Sequence, residues 1–259
     1  MSVRPCESPL PFGRVLVAGE ARHCLFDGES VRLLDGPAYA DDTRETGEVG
    51  LGTFGLLAPV TPSKVVCVGL NYKAHADEFD EEVPDEPLLF LKPPSAVIGP
   101  GEVIVLPGQS ERVDYEAELA LVVGRRCRQV QTGEAARFVA GYTCGNDVTA
   151  RDLQAKDGQW TRSKSFDTFC PLGPTVVRAA PAETGVVAAL LDGVEVQRGL
   201  IADLLFSPLD LLAFVSGIMT LEPGDVIMTG TPPGVGPLRS GQTVTVAVDG
   251  VGSLTNPVA

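Results

Sequence analysis

The segment DYEAEL at residues 114–119 places two carboxylates two positions apart, directly before an apolar run. Residues 119–123 are leucine, alanine and valine, so we predict a mostly buried strand over residues 115–123. Successive side chains of a strand point to opposite faces, which puts Glu116 and Glu118 side by side on one face. The strand therefore directs two carboxylates in the same direction.

A core that receives two carboxylates needs positive charge. The two groups repel each other and lose hydration, at a cost on the order of several kcal/mol each. A divalent cation is the simplest compensation for Glu116 and Glu118. The alternative is that this face meets solvent and forms only the polar half of an edge strand, since Glu-x-Glu is a common chance pattern. The spacing alone leaves both interpretations open.

The length and net charge of the chain limit the classes of protein to which it can belong. With 259 residues the chain can bury a large core, as one large domain or as a large and a small one. Its 34 acidic and 20 basic residues leave a net charge of −14, which disfavours nucleic acid or an anionic membrane as partner. The 29 glycines and 21 prolines suit the many tight turns of a β-rich fold with few helices. An anionic substrate would need local cations.

The cysteines and the N-terminus indicate the compartment. The six cysteines form no Cys-x-x-Cys pair and no His-x-Cys cluster, so we predict neither a zinc site nor a disulfide framework. Residues 1–10 contain no apolar stretch of the kind that signal peptides have, and no later segment has the roughly 18 apolar residues of a membrane span. We expect a cytoplasmic, soluble protein with reduced cysteines.

Residues 12–36 predict a small β-meander. Short strand patterns at 14–18, 22–26 and 31–34 are separated by turns such as Asp27-Gly28. Residues 37–60 show no sustained periodicity of apolar residues, and we place a domain boundary near residues 61–63. This gives a small N-terminal β-rich domain, 1–60, and a main domain, 61–259. His23 has no acidic cluster around it, so we interpret it as a partly buried structural histidine.

The main domain predicts further strands and two helices. Residues 191–193 carry the Asp-Gly signal of a hairpin. Ser207, followed by Pro208 and Asp210, has the pattern of a capped helix start, and Thr132 is predicted to cap a short helix over 132–140. Further strands are predicted over residues 64–69, 88–92, 103–106, 226–229 and 244–248.

His75 and Glu78 are candidates for a catalytic pair. They are three residues apart, so on a helix over 72–79 they share a face and can hydrogen-bond. This is the geometry of a general base and the carboxylate that orients it. The alternative is an ordinary His–Glu contact on a surface helix.

Polar groups also gather where later strands end. A strand starting at Gly141 leads into a polar turn with Asp147, Arg151 and Gln154, and Lys164 follows in a loop. Asp147 is alternatively only a turn former. The loop 230–236, which includes Thr231, is rich in glycine and proline, so its backbone amides either cradle an anion or simply turn the chain.

Six segments, taken in order, resemble the fumarylacetoacetate hydrolase family from about residue 61 to the C-terminus. The first 60 residues are similar only in size and position to the small N-terminal domain of bacterial members. The segments are GLNYKAHADE (69–78), LFLKP (89–93), DYEAEL (114–119), GYTCGNDVTARDLQ (141–154), KSFDT (164–168) and PGDVIMTGTP (223–232).

The resemblance implies an α+β, β-rich fold with a mixed β-roll, usually a homodimer, that binds Mg²⁺ or Mn²⁺. Phe166 departs from the smaller or polar residue of many members and is expected to narrow the pocket. Carried over by position, the metal carboxylates are Glu116, Glu118 and Asp147; the dyad on a lid segment is His75 with Glu78; the lysine that meets substrate oxygen is Lys164; the substrate contacts are Gln154 and Thr231, with Arg151 beside them.

The chemistry of this set predicts the reaction. Hard oxygen donors suit Mg²⁺ or Mn²⁺ and leave room for a chelating 2-oxo acid. We expect a hydrolase that cleaves a C–C bond in an acylpyruvate-like 1,3-dicarbonyl 2-oxo acid, with His75 activating water and Lys164 stabilising negative charge. The first alternative is a decarboxylase or isomerase of a 2-oxo or 2-hydroxymuconate-type acid in aromatic catabolism. The second is a non-catalytic member.

Overall fold

The computed structural model describes residues 8–78 and 83–259, without the side chains of residues 75–77. Strands dominate this part of the chain and helices are short, which confirms the predicted β-rich α+β class. The strands are β1 Phe12–Val17, β2 Glu20–Phe26, β3 Ser30–Leu34, β4 Glu45–Gly50, β5 Gly55–Leu56, β6 Val65–Gly69, β7 Leu88–Lys92, β8 Val97–Ile98, β9 Val113–Tyr115, β10 Ala117–Val123, β11 Val139–Asn146, β12 Thr149–Ala150, β13 Cys170–Val177, β14 Val186–Leu191, β15 Val194–Leu200, β16 Val226–Met228, β17 Gly236–Pro237, β18 Thr243–Val248 and β19 Gly252–Pro257. The α-helices are α1 Lys73–Glu78, α2 Arg151–Asp157, α3 Thr161–Lys164 and α4 Pro208–Ile218.

The strands of the described residues form three sheets, of which the largest is mixed in direction and the two smaller ones are antiparallel. The largest runs in the order β4-β3-β2-β1-β13-β11-β10-β16-β6-β7, with β5 paired to β1 and β8 to β13. Most pairs are antiparallel, whereas β16–β6 and β13–β8 are parallel. The smaller sheets are β12-β9-β17 and β15-β14-β18-β19. The mixed strand directions of the largest sheet match the mixed β-rich fold that the resemblance implies.

Strand β10 lies inside the largest sheet and is buried along its whole length. Leu119 and Leu121 pack into one apolar cluster, while Ala120 and Val122 pack into a second cluster on the other face. A strand covered on both faces reads as a continuous apolar run, as this sequence does. Glu116 and Glu118 lie an even number of residues before Ala120. Their side chains therefore point to the same covered side of the sheet as Ala120 and not to solvent.

The predicted N-terminal meander is present as β1, β2 and β3. Its fourth strand, β4, escaped the sequence analysis because its sequence ETGEVG is mostly polar and exposed, without the alternation of a half-buried strand. His23 on β2 is half-buried as predicted, and burial, aided by Arg14, lowers its pKa. Phe12 pairs with Val176 and so joins β1 to β13. The division of the chain near residue 61 stays a prediction.

Several local predictions are confirmed. Ser207 accepts a hydrogen bond from the backbone N–H of Asp210 and begins α4 with a capping box. Asp192 and Gly193 both have positive φ, at 51° and 82°, as the tight turn between β14 and β15 requires. The described cysteines, residues 24, 67, 127, 144 and 170, are buried and free. None of the described helices is both long and apolar enough to span a membrane.

Several local predictions are wrong. Residues 103–106 form no regular strand: Ile104 makes an isolated bridge to Val258, and backbone hydrogen bonds join Ile104 and Leu106 to Pro257 and Ala259. The segment Thr132–Phe138 is a 3₁₀ helix without a side-chain cap, and its N-cap is Gln131. The polar turn predicted to carry Gln154 ends earlier, since α2 begins at Arg151. Lys164, predicted in a loop, is the last residue of α3. The strand predicted over 115–123 is interrupted at Glu116, between β9 and β10.

Candidate active site

Three carboxylates converge where β10 and β11 lie side by side. Ala117 pairs with Asn146, and the backbone N–H of Asp147 donates to the carbonyl oxygen of Glu116 at 2.9 Å. This register brings Asp147 beside Glu116 and Glu118, and one carboxylate oxygen from each lies within 4.8 Å of the others. All three are buried, Glu118 with 1% of its surface exposed. The buried interpretation of the two glutamates is therefore correct, and the exposed edge-strand interpretation is wrong.

The glycine-rich loop after β16 holds carboxylates of the protein itself. The backbone N–H of Gly230 donates to Oε2 of Glu118 at 2.7 Å. The N–H of Gly234 lies 3.2 and 3.3 Å from the two carboxylate oxygens of Glu78. Gly230 has φ +97°, and a Cβ there would come within 2.7 Å of the Cβ of Asn71. The anion cradle considered in the sequence analysis therefore orients two glutamates.

Lys164 and Arg151 bring positive charge to the carboxylates. The Lys164 ammonium, buried at the end of α3, lies 2.9 Å from Oε2 of Glu116 and 2.7 Å from Oδ2 of Asp147. Arg151 opens α2 and donates through Nε to Asp114 at 2.9 Å and through Nη2 to Glu116. The structure thus brings both predicted cations to the predicted carboxylates.

Lys92 is a site residue to which the sequence analysis gave no role. Its ammonium is buried at the end of β7 and lies 2.7 Å from Oδ1 of Asp147. The available signal was a lysine closing the apolar strand 88–92, because a lysine buried with its strand must find a counter-ion. Its partner is far away in sequence, so the strand pattern alone did not reveal the pair.

Negative charge exceeds positive charge in this buried cluster. Burial raises the pKa of Glu118 well above its ordinary value, and the nearby Asp147 and Glu116 raise this pKa further. Burial acts to lower the pKa of Lys164, but Asp147 and Glu116 outweigh it, so that this pKa is raised. The carboxylates are Asp114, Glu116, Glu118 and Asp147; the cations are Lys92, Arg151 and Lys164, with the half-exposed Arg112 at the margin.

The carboxylates lie in a cavity of about 490 Å³. Gln154 and Thr231 also line it, as predicted for substrate contacts. Gln154 accepts a 2.7 Å hydrogen bond from Nη1 of Arg151, which leaves its amide nitrogen as a donor. The Thr231 hydroxyl donates to the carbonyl oxygen of Ala117 at 2.9 Å and accepts from Nε2 of Gln197 at 2.6 Å. The hydroxyl proton of Thr231 is therefore already donated, so toward a ligand this hydroxyl can only accept a hydrogen bond.

Gln197 is a second polar residue that the sequence analysis missed. It is buried on β15, most of whose residues are exposed, and its Oε1 accepts from the backbone N–H of Ala117 at 3.0 Å. Through Ala117 and Thr231 it joins β10 to the glycine-rich loop. Only its burial distinguishes Gln197 from the mostly exposed residues around it on β15, and the strand sequence does not reveal that burial.

Part of the cavity wall is apolar. Phe90 and Trp160 pack edge to face with ring centroids 5.2 Å apart, and Leu88 lies beside them. A Cβ on Gly69 would come within 2.7 Å of the Trp160 ring, so the indole occupies this position because residue 69 is glycine. Phe166, which was expected to narrow the pocket, packs against Phe169 with centroids 5.2 Å apart and is not among the described lining residues.

The predicted His75–Glu78 pair lies on α1, which confirms a helix at this place. The Glu78 carboxylate lies at the N–H of Gly234. The side chain of His75 lies outside the described part of the structure, so the contact between His75 and Glu78 stays a prediction.

The donor set fits a divalent metal ion. Three carboxylates supply oxygen donors, the type that Mg²⁺ and Mn²⁺ prefer, from positions within 4.8 Å of one another. Burial, together with the neighbouring Asp147 and Glu116, raises the pKa of Glu118, and a cation held by the three carboxylates would oppose that shift. Glu116, Glu118 and Asp147 would hold such an ion.

Comparison with known proteins reveals similarity over most of the chain. The family model described as fumarylacetoacetate (FAA) hydrolase C-terminal matches residues 64–259. Human mitochondrial oxaloacetate tautomerase FAHD2A is 43% identical over 215 residues, which are 78% of this chain and 68% of that protein. The structure of 5-carboxymethyl-2-hydroxymuconate delta-isomerase from Mycobacterium smegmatis is 43% identical, with a TM-score of 0.86 and coverage of 96% and 98% of the two chains.

A hydrolase is also among the similar structures. Fumarylpyruvate hydrolase from Pseudomonas aeruginosa, solved in complex with Mn²⁺ and pyruvate, is 33% identical with a TM-score of 0.73. The alignment covers 78% of this chain and 91% of that chain. The three similar proteins described here by name are thus a tautomerase, an isomerase and a hydrolase.

Proposed function

This chain belongs to the fumarylacetoacetate hydrolase family, a family of enzymes, and we propose that it is a divalent-metal-dependent hydrolase of an acylpyruvate-like 2-oxo acid. One observation carries the proposal. The buried carboxylates Glu116, Glu118 and Asp147 line the same cavity as the apolar side chains of Leu88, Phe90 and Trp160. An acylpyruvate has the same division, with a charged 2-oxo acid at one end and an acyl group at the other.

The charge of the site supports metal dependence. A divalent cation held by the three carboxylates would polarise a carbonyl oxygen of the substrate and stabilise negative charge on it. The described cations Lys92, Arg151 and Lys164, with Arg112 at the margin, already pair with the carboxylates of the site. An anionic substrate would therefore need added positive charge, which a metal ion would supply. The hydrolase solved with Mn²⁺ and pyruvate supports the same type of ligand.

Three polar side chains are suited to orient the 2-oxo acid. The Lys164 ammonium lies at Glu116 and Asp147, where it can stabilise developing charge on a substrate oxygen. Gln154 offers its amide N–H groups, since Arg151 already occupies its oxygen. Thr231 offers only a lone pair and therefore suits an O–H group of an enol or of water.

Hydrolysis also needs a base for water. We assign this role to His75 on α1, oriented by Glu78. The base takes a proton from water, and the oxygen of the water bonds to the carbonyl carbon distal to the 2-oxo acid. The C–C bond next to that carbon then breaks, and its electron pair stays on the 2-oxo acid as an enolate. The attacked carbonyl carbon becomes that of a carboxylic acid, and protonation of the enolate at the carbon released from the broken bond yields pyruvate or a substituted pyruvate.

The cavity volume and its apolar wall support a substrate larger than a simple diacid. About 490 Å³ accommodates more than the 2-oxo acid itself. Leu88, Phe90 and Trp160 offer contacts to carbon and no charge to a second carboxylate. Acyl groups of increasing length should therefore gain affinity until the wall is covered.

An isomerase or tautomerase is the second candidate. It is favoured by the 43% identity both to the human oxaloacetate tautomerase and to the mycobacterial delta-isomerase. Such a reaction forms the same type of enolate but returns the proton to another atom, and no water attacks carbon. The same carboxylates and Lys164 serve it, whereas a water-activating base is unnecessary.

The experiment is a substrate panel with the chelator-treated enzyme, with and without added Mg²⁺ or Mn²⁺. We expect metal-dependent release of pyruvate from acetylpyruvate and longer acylpyruvates. Acceleration of only the keto–enol interconversion or the decarboxylation of oxaloacetate would favour the alternative enzyme class. No turnover with any member of the panel would favour a non-catalytic protein.

The assembly and the partners are also proposals. We propose a homodimer that binds a small anionic 2-oxo acid and neither nucleic acid nor a membrane. The acidic net charge of −14 supports the exclusion of anionic polymers. Light scattering after size-exclusion chromatography measures the mass, and a value of one chain would contradict the homodimer.

A further inference from the structure

The ammonium of Lys92 is enclosed by oxygen atoms. It lies 3.0 Å from the carbonyl oxygen of Val148, 2.7 Å from that of Lys164 and 2.7 Å from that of Phe169. Oδ1 of Asp147 lies 2.7 Å away on the same ammonium. The three carbonyl oxygens accept all three N–H donors, so Lys92 has none left for a substrate. Oδ1 of Asp147 meets the ammonium as an ion pair without a hydrogen bond. It is also not among the described residues that line the cavity.

These contacts connect two groups of the site. Lys92 binds one oxygen of Asp147 by its charge, while the other oxygen, Oδ2, lies 2.7 Å from the Lys164 ammonium. Lys92 also binds the backbone carbonyl of Lys164 and so restrains the end of α3. One side chain on β7 therefore restrains both the Asp147 carboxylate and the backbone that carries Lys164.

We propose that Lys92 is a positioning residue that turns Oδ2 of Asp147 toward the metal ligands Glu116 and Glu118. The inference rests on the metal site of the proposed function and adds a residue that touches neither metal nor substrate. Without Lys92, the Asp147 carboxylate can rotate, and its oxygen Oδ1 loses its cation. Groups that orient metal ligands in this way typically contribute 10- to 100-fold to metal affinity.

The shape of the enclosure explains the choice of lysine. A compact ammonium directs three N–H groups to oxygens on different elements, here the turn after β11, the end of α3 and the start of β13. The planar guanidinium of arginine is larger and directs its donors within one plane. A neutral side chain leaves the carboxylate of Asp147 buried beside Glu116 with one cation fewer.

The test measures Mn²⁺ affinity in the substrate-free, full-length protein by titration calorimetry. The variants are Lys92→Met and, as a second choice that keeps N–H donors, Lys92→Gln. The matched control is Lys64→Met, because Lys64 also pairs with a buried aspartate, Asp225, away from the cavity. We expect the Kd for Mn²⁺ to rise about 10- to 100-fold in either Lys92 variant and to stay unchanged in Lys64→Met.

Each other outcome separates the inference from its premise. A wild-type protein that binds no Mn²⁺ refutes the proposed metal dependence itself. A wild type that binds Mn²⁺, together with a folded Lys92 variant that binds it equally well, overturns only the positioning role. Equal weakening in Lys64→Met overturns it as well, because the loss then follows general stability. If neither Lys92 variant folds in saturating Mn²⁺, Lys92 is a residue of the fold and the inference is also overturned.

Discussion

The backbone N–H of Gly230 donates a 2.7 Å hydrogen bond to Oε2 of Glu118, and this bond links the glycine-rich loop to the buried carboxylates. The loop follows β16, and Glu118 lies on the neighbouring strand β10. The bond orients one oxygen of the carboxylate and leaves the other for a further partner. The glycine-rich loop thus helps to shape the proposed metal site, and the predictions below concern the groups around it.

We predict that Mg²⁺ or Mn²⁺ raises both activity and thermal stability. An ion that binds only the folded state stabilises it by RT ln(1 + [L]/Kd), about 2.7 kcal/mol at 100 times Kd. Ca²⁺ should bind but support turnover less well. The double variant Glu116→Gln with Glu118→Gln should lose both effects in melting curves and assays, while Glu111→Gln with Glu134→Gln, on the surface, should keep them. Full metal-dependent turnover in the first variant would exclude these glutamates as ligands.

Lys164→Met should reduce kcat/KM on the order of 10²-fold or more, the usual effect of losing one directed charge donor. The reason is that an anionic substrate needs a cation at the point where Lys164 meets Glu116 and Asp147. Steady-state kinetics at saturating metal measure this change. The control is Lys156→Met on the exposed side of α2. An unchanged kcat/KM in Lys164→Met would transfer the role to Arg151.

The pKa of Glu118 predicts a pH dependence of the metal-free protein. This pKa is raised by burial and by Asp147 and Glu116. Above the ordinary pKa of 4.5 the unfolded chain has released its proton while the folded chain retains it, so stability falls as pH rises toward the raised pKa. Urea denaturation at several pH values measures the slope, and Glu118→Gln should reduce it. The same slope in the variant would show that another group is responsible.

Metal binding should release the proton that Glu118 retains, because a metal ligand must be deprotonated. The apparent affinity for Mn²⁺ should therefore rise with pH in the window below the raised pKa. Calorimetry in buffers of different ionisation enthalpy counts the released protons. Glu118→Gln should release fewer protons, and an unchanged count would contradict the assignment.

His75 separates the two classes of reaction. Hydrolysis needs a base for water, so His75→Ala should cost roughly 10²- to 10⁴-fold. Decarboxylation of oxaloacetate involves no attack of water on carbon and should survive better. Glu78→Gln should change activity in the same direction, since it removes the charge that stabilises the imidazolium but keeps an acceptor for the N–H of Gly234.

The measurement is the ratio of acylpyruvate cleavage to oxaloacetate decarboxylation in wild type and in both variants, with saturating metal. This ratio corrects for losses of folded protein, because both reactions use the same preparation. A ratio that does not fall would contradict His75 as the hydrolytic base or the hydrolase itself, and the alternative enzyme class would then take precedence.

Local patterns in the sequence determined much of the fold. The alternation of a strand was sufficient to direct Glu118 on β10 and Glu116, just before it, to the same side, and the apolar run after them predicted burial. Ser207 with Asp210 predicted the start of α4, and Asp192-Gly193 predicted the hairpin turn. These signals depend on neighbours within a few residues, where backbone geometry fixes the spacing of side chains.

Only the tertiary structure decided the partners of the buried polar groups. Lys92 closes an apolar strand, but β16, β6 and β10 separate β7 from β11 in the sheet, so only the tertiary structure brings Asp147 to its ammonium. Gln197 binds the backbone of Ala117, 80 residues away, from an otherwise largely exposed strand. Residues 103–106 resemble a strand but form only an isolated bridge to the C-terminal tail, and the N–H of Val105 donates to Thr168. Periodicity encodes which face of an element is buried, whereas the counter-charge that a buried group meets depends on long-range strand register, which local periodicity does not specify.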